Sequence, residues 1–250
     1  FRSKEQGRRR LFLVGSDYVF PQTANRIVRA YAKHNGMQIV GEEYTPMGAT
    51  DFSTIVNKLK ASGADAVVNT LNGDSNVAFF KEYKASGLQA DSLPVISMSI
   101  AEEEVASIGP DNVKGQLTAW NYYQTLGDEE NRTFVKDFKA RYGHDRPTSD
   151  PMESAYTSVY LWKEMVEKAK SFAVDDVKRA AGGISFDAPE GTVTVDGENH
   201  HIYKTSYIGR IGDDRLIHTV WKSDGPIKPD PYLKAYAWAG SLQSPGSDSS

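Results

Sequence analysis

Apolar positions along this chain fall into two textures. From Leu11 to Trp120 they come as short runs, each followed by a helical stripe. "LFLVG" leads to a helical pattern over 22–33, "MQIVGEEY" to one over 51–61, and "ADAVVNTL" to one over 76–85. "LPVISMS" leads to a short helical segment over 102–107, and "GQLTAW" closes the series. Short apolar runs alternating with amphipathic helices predict right-handed βαβ crossovers, and hence an α/β fold with a doubly wound parallel sheet. Gly36, Gly63 and Gly87 stand where the three long helices should stop, as C-terminal caps do. Thr50 or Asp51 can cap the second helix and Asp74 or Ser75 the third, while Ser99 and Glu102 have capping-box spacing.

After residue 127 the texture changes. "DEENRTFVKDFKARYG" (128–143) and "DPMESAYTSVYLWKEMVEKAKS" (150–171) predict two long helices with only a loop between them. Phe134, Phe138 and Tyr142 share one face of the first, and Met152, Ala155, Val159 and Trp162 one face of the second. Such stripes read as core rather than as cofactor boxes. They need a sheet to cover, and the strands that follow offer only a hairpin signal, "TVTVDGENHHIYKTSYIGRI", with its turn at Asp196–Gly197. The covering surface is therefore expected to lie outside this sequence. The polar, small-residue tail over 241–250 is expected to be disordered.

Composition narrows the function. A net charge of −4, from 29 Lys and Arg against 33 Asp and Glu, argues against nucleic acid as the main partner. Arg8, Arg9 and Arg10 then read as a solvated approach to the first strand. The chain has no cysteine, which excludes thiolate catalysis, Cys-based zinc sites and disulfides. No apolar run is long enough to span a bilayer. No signal peptide opens the chain, so any export signal is expected to have been removed or never to have been present. There is no G-x-S-x-G, Walker, G-x-G-x-x-G or H-E-x-x-H motif. His200 and His201 adjoin on an expected strand, so their rings should point to opposite faces. No metal or other cofactor is expected.

What remains is a set of loops. In a parallel sheet the strands' C-terminal loops gather on one edge, and ligands bind in that crevice. Here those loops read "GSDYVFP" (15–21), "YTPMGAT" (44–50), "NTLNGDSN" (69–76), "SMSIAEEE" (97–104) and "WNYYQT" (120–125). Ser16, Asp17, Tyr18, Asn72, Asp74 and Ser99 would supply donors and acceptors, and Tyr18, Trp120 and Tyr122 could cover a ligand's faces. Glu102 opens a helix, where the dipole favours it, and also stands closest to a strand end. With no Lys or Arg in these loops, a small, neutral, polar ligand is favoured over an anionic phosphate.

The segments "FLVGSDYVFPQTAN", "VVNTLNGDSNVAFFKE", "SIAEEE", "AWNYY", "DPMESAYTSVYLWK", "SFDAPEGTVTVDGENHH" and "DGPIKPDPYLKAYAWAG" closely resemble the urea-binding proteins of ABC transporters. These belong to the type I periplasmic binding-protein superfamily, alongside amide sensors and branched-chain amino-acid binders. The resemblance covers residues 8 to 242. It implies two α/β lobes, each with a doubly wound parallel sheet, closing over urea or a short-chain amide, and a chain that lacks the front of its first lobe. Residues 8–120 and 204–235 would form lobe two, and 121–203 would belong to lobe one. By the same resemblance Tyr18 matches an aromatic that packs on the ligand, with Ser16 and Asp17 in its turn. Asn72 and Ser99 match the next cleft loops, and Glu102 lies near a carboxylate position of the amino-acid binders.

The leading expectation is thus a non-enzymatic periplasmic solute-binding protein that passes urea or an amide to the membrane subunits of an ABC permease. A cytoplasmic amide-sensing regulator of the same fold is the alternative. An enzyme on a doubly wound sheet is a third reading, disfavoured by the lack of a nucleophile, base and orienter. Self-association through helices 129–142 and 150–169 is a fourth.

Overall fold

A computed structural model describes residues 7–242. Strands β1 (Arg10–Ser16), β2 (Gln38–Thr45), β3 (Ala66–Thr70), β4 (Val95–Ser97) and β5 (Leu117–Trp120) alternate with helices. The helices are α1 (Val19–His34), α2 (Ser53–Ala61), α3 (Ser75–Ala85), α4 (Glu102–Ile108) and the short α5 (Pro110–Val113). Gly36, Gly63 and Gly87 all adopt positive φ just past the long helices, where a side chain would be strained.

β1 to β5 are parallel in the spatial order β2–β1–β3–β4–β5. Strands β9 (Tyr207–Ile211) and β10 (Ile217–Lys222) complete a seven-stranded sheet, adding antiparallel beside β5. Period-two alternation explains the layering. Phe12 and Val14 join Ile55, Val56, Phe79, Phe80 and Val105 on the face covered by α2, α3 and α4. Leu11 and Leu13 join Val28 and Ala32 on the face covered by α1.

Between β5 and β9 lie α6 (Glu129–Tyr142), α7 (Asp150–Ala169) and α8 (Val174–Ala181). A small antiparallel sheet follows them, built from β6 (Ser185–Ala188), β7 (Gly191–Val195) and β8 (Ile202–Tyr203). Its core is Leu161, Ala181, Ala188, Val193 and Val195, with Met165, Ile184 and Phe186 packed against it. After β10 the chain runs back over the molecule, and Trp238 in the 3-10 turn Ala237–Leu242 meets Tyr31 of α1 edge-on at 5.5 Å.

Several local expectations are corrected. α3 begins without a side-chain cap from Asp74, whereas Asp51 does accept the Ser53 N–H at the start of α2. Ser99 does not cap α4, because its hydroxyl donates to the Leu71 carbonyl. Glu104 instead reaches back to the Ala101 N–H at 2.8 Å. His200 is not on a strand: it sits in the β7–β8 turn with φ 61°. The alternating run over 192–211 divides between two sheets. On α7 the buried residues are Asp150, Glu153, Thr157 and Leu161, so the stripe through Ala155, Val159 and Trp162 faces outward. Val159 is 63% and Trp162 51% exposed. The predicted disordered tail, 241–250, lies beyond the described residues except for its first two positions.

Candidate functional site

The chain reversal at the end of β1 fixes the first loop. Ser16 is fully buried, and its Oγ accepts the Asn72 N–H from the loop after β3 at 3.0 Å. The Asp17 N–H donates to the Thr45 carbonyl at the end of β2, and its carboxylate accepts Gln22 Nε2 at 2.7 Å. Asp17 thus ties the strand end to the first turn of α1. Tyr18, extended at the start of that helix, makes no side-chain capping bond. Its ring is 36% exposed and stands 6.3 Å from that of Phe20, also exposed. Gly15 is required beneath them, since a Cβ there would lie 2.9 Å from Pro21 Cβ.

A buried polar network holds the neighbouring loop. Asn69 Nδ2 donates to Asn76 Oδ1 at 2.9 Å and to Ser97 Oγ at 3.0 Å, while its Oδ1 accepts the Leu71 N–H. Asn76 Nδ2 donates to the Leu71 carbonyl, which also receives the Ser99 hydroxyl. On the other side, Thr70 Oγ1 donates to the Val14 carbonyl and approaches Asn25 Oδ1. Asn25 Nδ2 in turn donates to the Tyr44 hydroxyl, which donates to Glu42. Burial, together with that bond to Glu42, pushes Tyr44 up to about 12. The sequence hid these residues because Asn69, Asn76 and Asn25 read as ordinary loop and helix polar positions.

Ser16, Asn72 and Ser99 therefore meet across three adjacent strand ends, flanked by Asp17 and Tyr18. Glu102, Trp120 and Tyr122 form a second group, where the chain leaves β5. Trp120 Nε1 donates to the Ile100 carbonyl at 2.7 Å. Tyr122 is fully buried, with its hydroxyl bonded to Asn131 Oδ1 and Thr148 Oγ1, both at 2.7 Å. Its ring offers no exposed face. Glu102 is buried, and its Oε1 accepts the Gln124 N–H at 2.8 Å while Oε2 has no partner. Burial pushes it up to about 8.

The Ser16 and Ser99 hydroxyls engage backbone groups, and no histidine bonds either of them. Among the described residues no group of three or more His, Asp or Glu side chains is placed to hold a metal ion. Arg146 approaches the start of α4, where it pairs with Glu103 at 3.4 Å.

A further set went unread in the sequence: Asp150 and Glu153 on α7, Glu190 in the β6–β7 turn, and Lys204 after β8. All three acids are buried. The available signal was the spacing of Asp150, Glu153 and Thr157 in phase with Leu161.

The family model for the periplasmic binding protein domain matches residues 1–237. A Leu/Ile/Val-binding protein homolog from Brucella melitensis is 27% identical over 241 residues, which cover 92% of this chain and 60% of that protein. The chain therefore spans about three fifths of the length of such relatives. Among solved structures, a Rhodopseudomonas palustris ABC-transporter solute-binding protein in complex with p-hydroxybenzoic acid superposes with a TM-score of 0.83. It is 24% identical, with 94% of this chain and 65% of that one covered. A branched-chain amino acid ABC-transporter periplasmic ligand-binding protein from Burkholderia xenovorans gives a TM-score of 0.75 at 26% identity, covering 90% and 61%.

Proposed function

Because the chain belongs to the periplasmic binding-protein family, we propose that it forms the greater part of a solute-binding protein. In this reading it captures urea or a short-chain amide and passes it to the membrane subunits of an ABC permease from the periplasm. Residues 8–120 with 204–235 then make up one ligand-binding lobe, and 121–203 belong to the other. The observation that carries the ligand class is the make-up of the strand-end loops. They offer amide and hydroxyl groups, the exposed ring of Tyr18 and uncharged backbone, with no Lys or Arg to balance an anion. The mechanism is hinge closure, in which the ligand stabilises the closed form that the permease recognises. Ser16, Asp17, Asn72 and Ser99 shape the floor, Tyr18 is the contacting ring, and Glu102, Trp120 and Tyr122 brace the crossover beside it. No catalytic step is assigned to the site.

The exposed pair Tyr18 and Phe20 supports a second reading, an aromatic ligand stacked on this rim. Its carboxylate would then need a cation from outside these loops.

Isothermal titration of urea, acetamide, formamide, leucine and 4-hydroxybenzoate separates the two, with Tyr18→Ala as control. Saturable binding of urea or an amide, weakened at least tenfold in the variant, is the expected result. Preference for leucine or 4-hydroxybenzoate would overturn the amide assignment.

A further inference from the structure

Three stretches pass between the seven-stranded sheet and the part built from α6, α7 and the small sheet: 121–128, 204–206 and 223–227. They are laced together. Asn121 Nδ2 donates to the Thr205 carbonyl at 2.8 Å, the Ser206 N–H to Ser223 Oγ, and the Ile227 N–H to the Lys204 carbonyl. Beside this lacing lie four buried carboxyl groups, Glu102, Asp150, Glu153 and Glu190. One ammonium, that of Lys204, pairs among them.

The partners are unevenly shared. Asp150 Oδ2 accepts the Asn121 N–H at 2.9 Å, on the first crossover. Glu153 Oε1 accepts the Thr157 hydroxyl at 2.6 Å, but its Oε2 has no partner. Lys204 Nζ lies 2.8 Å from Glu190 Oε1 and donates to Ser154 Oγ at 3.1 Å, yet neither Glu190 oxygen receives a well-aligned hydrogen bond. Glu153 and Glu190 face each other, with Asp150 and Lys204 as their charged neighbours. Tyr207 on β9 touches the Glu190 backbone, Tyr122 lies on the first crossover and Tyr156 on α7 itself. Asp150, Glu153 and Glu190 as three buried anions around a single ammonium would leave a large uncompensated charge, which proteins avoid by keeping a proton. A proton between two facing carboxyls also gives an orphaned oxygen its donor.

We propose that Glu153 and Glu190 share one proton, and that losing it loosens the three crossovers, so that the molecule's grip on its ligand weakens as pH rises. The ionised pair would pull on Lys204, the residue that anchors the second crossover to α7. The sign follows from burial, which raises both carboxyls above their ordinary values. The stabilisation is complete below the ordinary glutamate range and is lost as pH climbs through the raised one. The ligand half of this inference rests on the binding reading above, and the proton half does not.

Hydrogen–deuterium exchange of the whole chain, corrected for intrinsic exchange rates and followed from pH 6 to 9, tests the proton half. Amides of 121–124 and 204–206 should lose protection about tenfold in the wild type. Over 204–206 the loss should largely vanish in Glu190→Gln, a neutral mimic of the protonated acid, and persist in Glu102→Gln, whose carboxyl bonds the Gln124 N–H of the first stretch instead. Equal loss in the wild type and Glu190→Gln would overturn the proposal. Infrared difference spectra add a second readout: a protonated-carboxyl band at pH 6 that fades by pH 9 is expected to remain in Glu102→Gln, whose own buried acid is removed, and its absence there at pH 6 is fatal. Titrating the amide at both pH values then reads the ligand half. An affinity that falls with pH in the wild type but not in Glu190→Gln supports the coupling. An affinity independent of pH, with the exchange result intact, removes the coupling and leaves the shared proton standing. Should no compound bind, the ligand reading fails by itself.

Discussion

Truncating Asn69 to alanine would break three hydrogen bonds at once and deprive Asn76 Oδ1, Ser97 Oγ and the Leu71 N–H of them in a buried space. Orphaned buried groups cost about 1–3 kcal/mol each, partly relieved by rearrangement, so Asn69→Ala should destabilise the chain by roughly 2–4 kcal/mol in urea unfolding. Tyr18→Ala, at an exposed rim, should change stability by less than about 1 kcal/mol while weakening ligand binding. Glu102 makes a pH-dependent prediction. Its folded value, about 8, lies above the ordinary glutamate range, so its contribution to stability is complete at acidic pH and drains away as pH rises towards 8. Thermal midpoints measured from pH 5 to 9 should therefore fall less steeply in Glu102→Gln than in the wild type. At this scale the sequence was only half legible. Tyr18, Asn72 and Ser99 could be placed because strand-end loops are marked by Gly, Ser, Asn and Asp. The asparagines below them, and Tyr122's retreat into the core, depend on partners far away in the chain.

Among the elements, the parallel strands and their helices were readable because apolar runs and glycine stops recur in register with the fold. α7 was misread. Its apolar stripe suggested the inward face, yet the buried side is led by Asp150, Glu153 and Thr157. Beside that stripe, Tyr156 and Tyr160 meet neighbouring rings, Tyr156 tilted against Phe134 at 4.8 Å and Tyr160 stacked on Phe186 at 5.0 Å. Hydrophobic periodicity locates a face but not what covers it. Val159→Lys and Trp162→Lys should accordingly alter stability by no more than about 0.5 kcal/mol. If copies associate through this face, both variants should lower the apparent mass in sedimentation. β9 is more demanding. A Cβ at Gly209 would fall 2.7 Å from Tyr123 Cζ and nearer still to Ile217. Gly209→Ala should therefore cost about 1–3 kcal/mol by overpacking, visible as a lower urea midpoint with an unchanged slope.

For the whole molecule, the βαβ order predicted a doubly wound parallel sheet and the resemblance implied a type I periplasmic binding-protein fold, and the architecture of the structural neighbours agrees with both. The size of the central sheet was less legible. No periodicity in 207–222 announces that these strands will pair beside residues 117–120, because pairing across such a separation is settled by packing, not by local pattern. That separation governs how the chain can be made. A ribosome delivers β1 to β5 first, and β5 then presents an unpaired edge until residues 207–211 arrive. Throughout that interval the nascent sheet is open to strand pairing with a neighbouring nascent chain. The antiparallel addition of β9 is therefore also the step that covers the β5 edge during synthesis and leaves β10 and β2 as the sheet's outer strands.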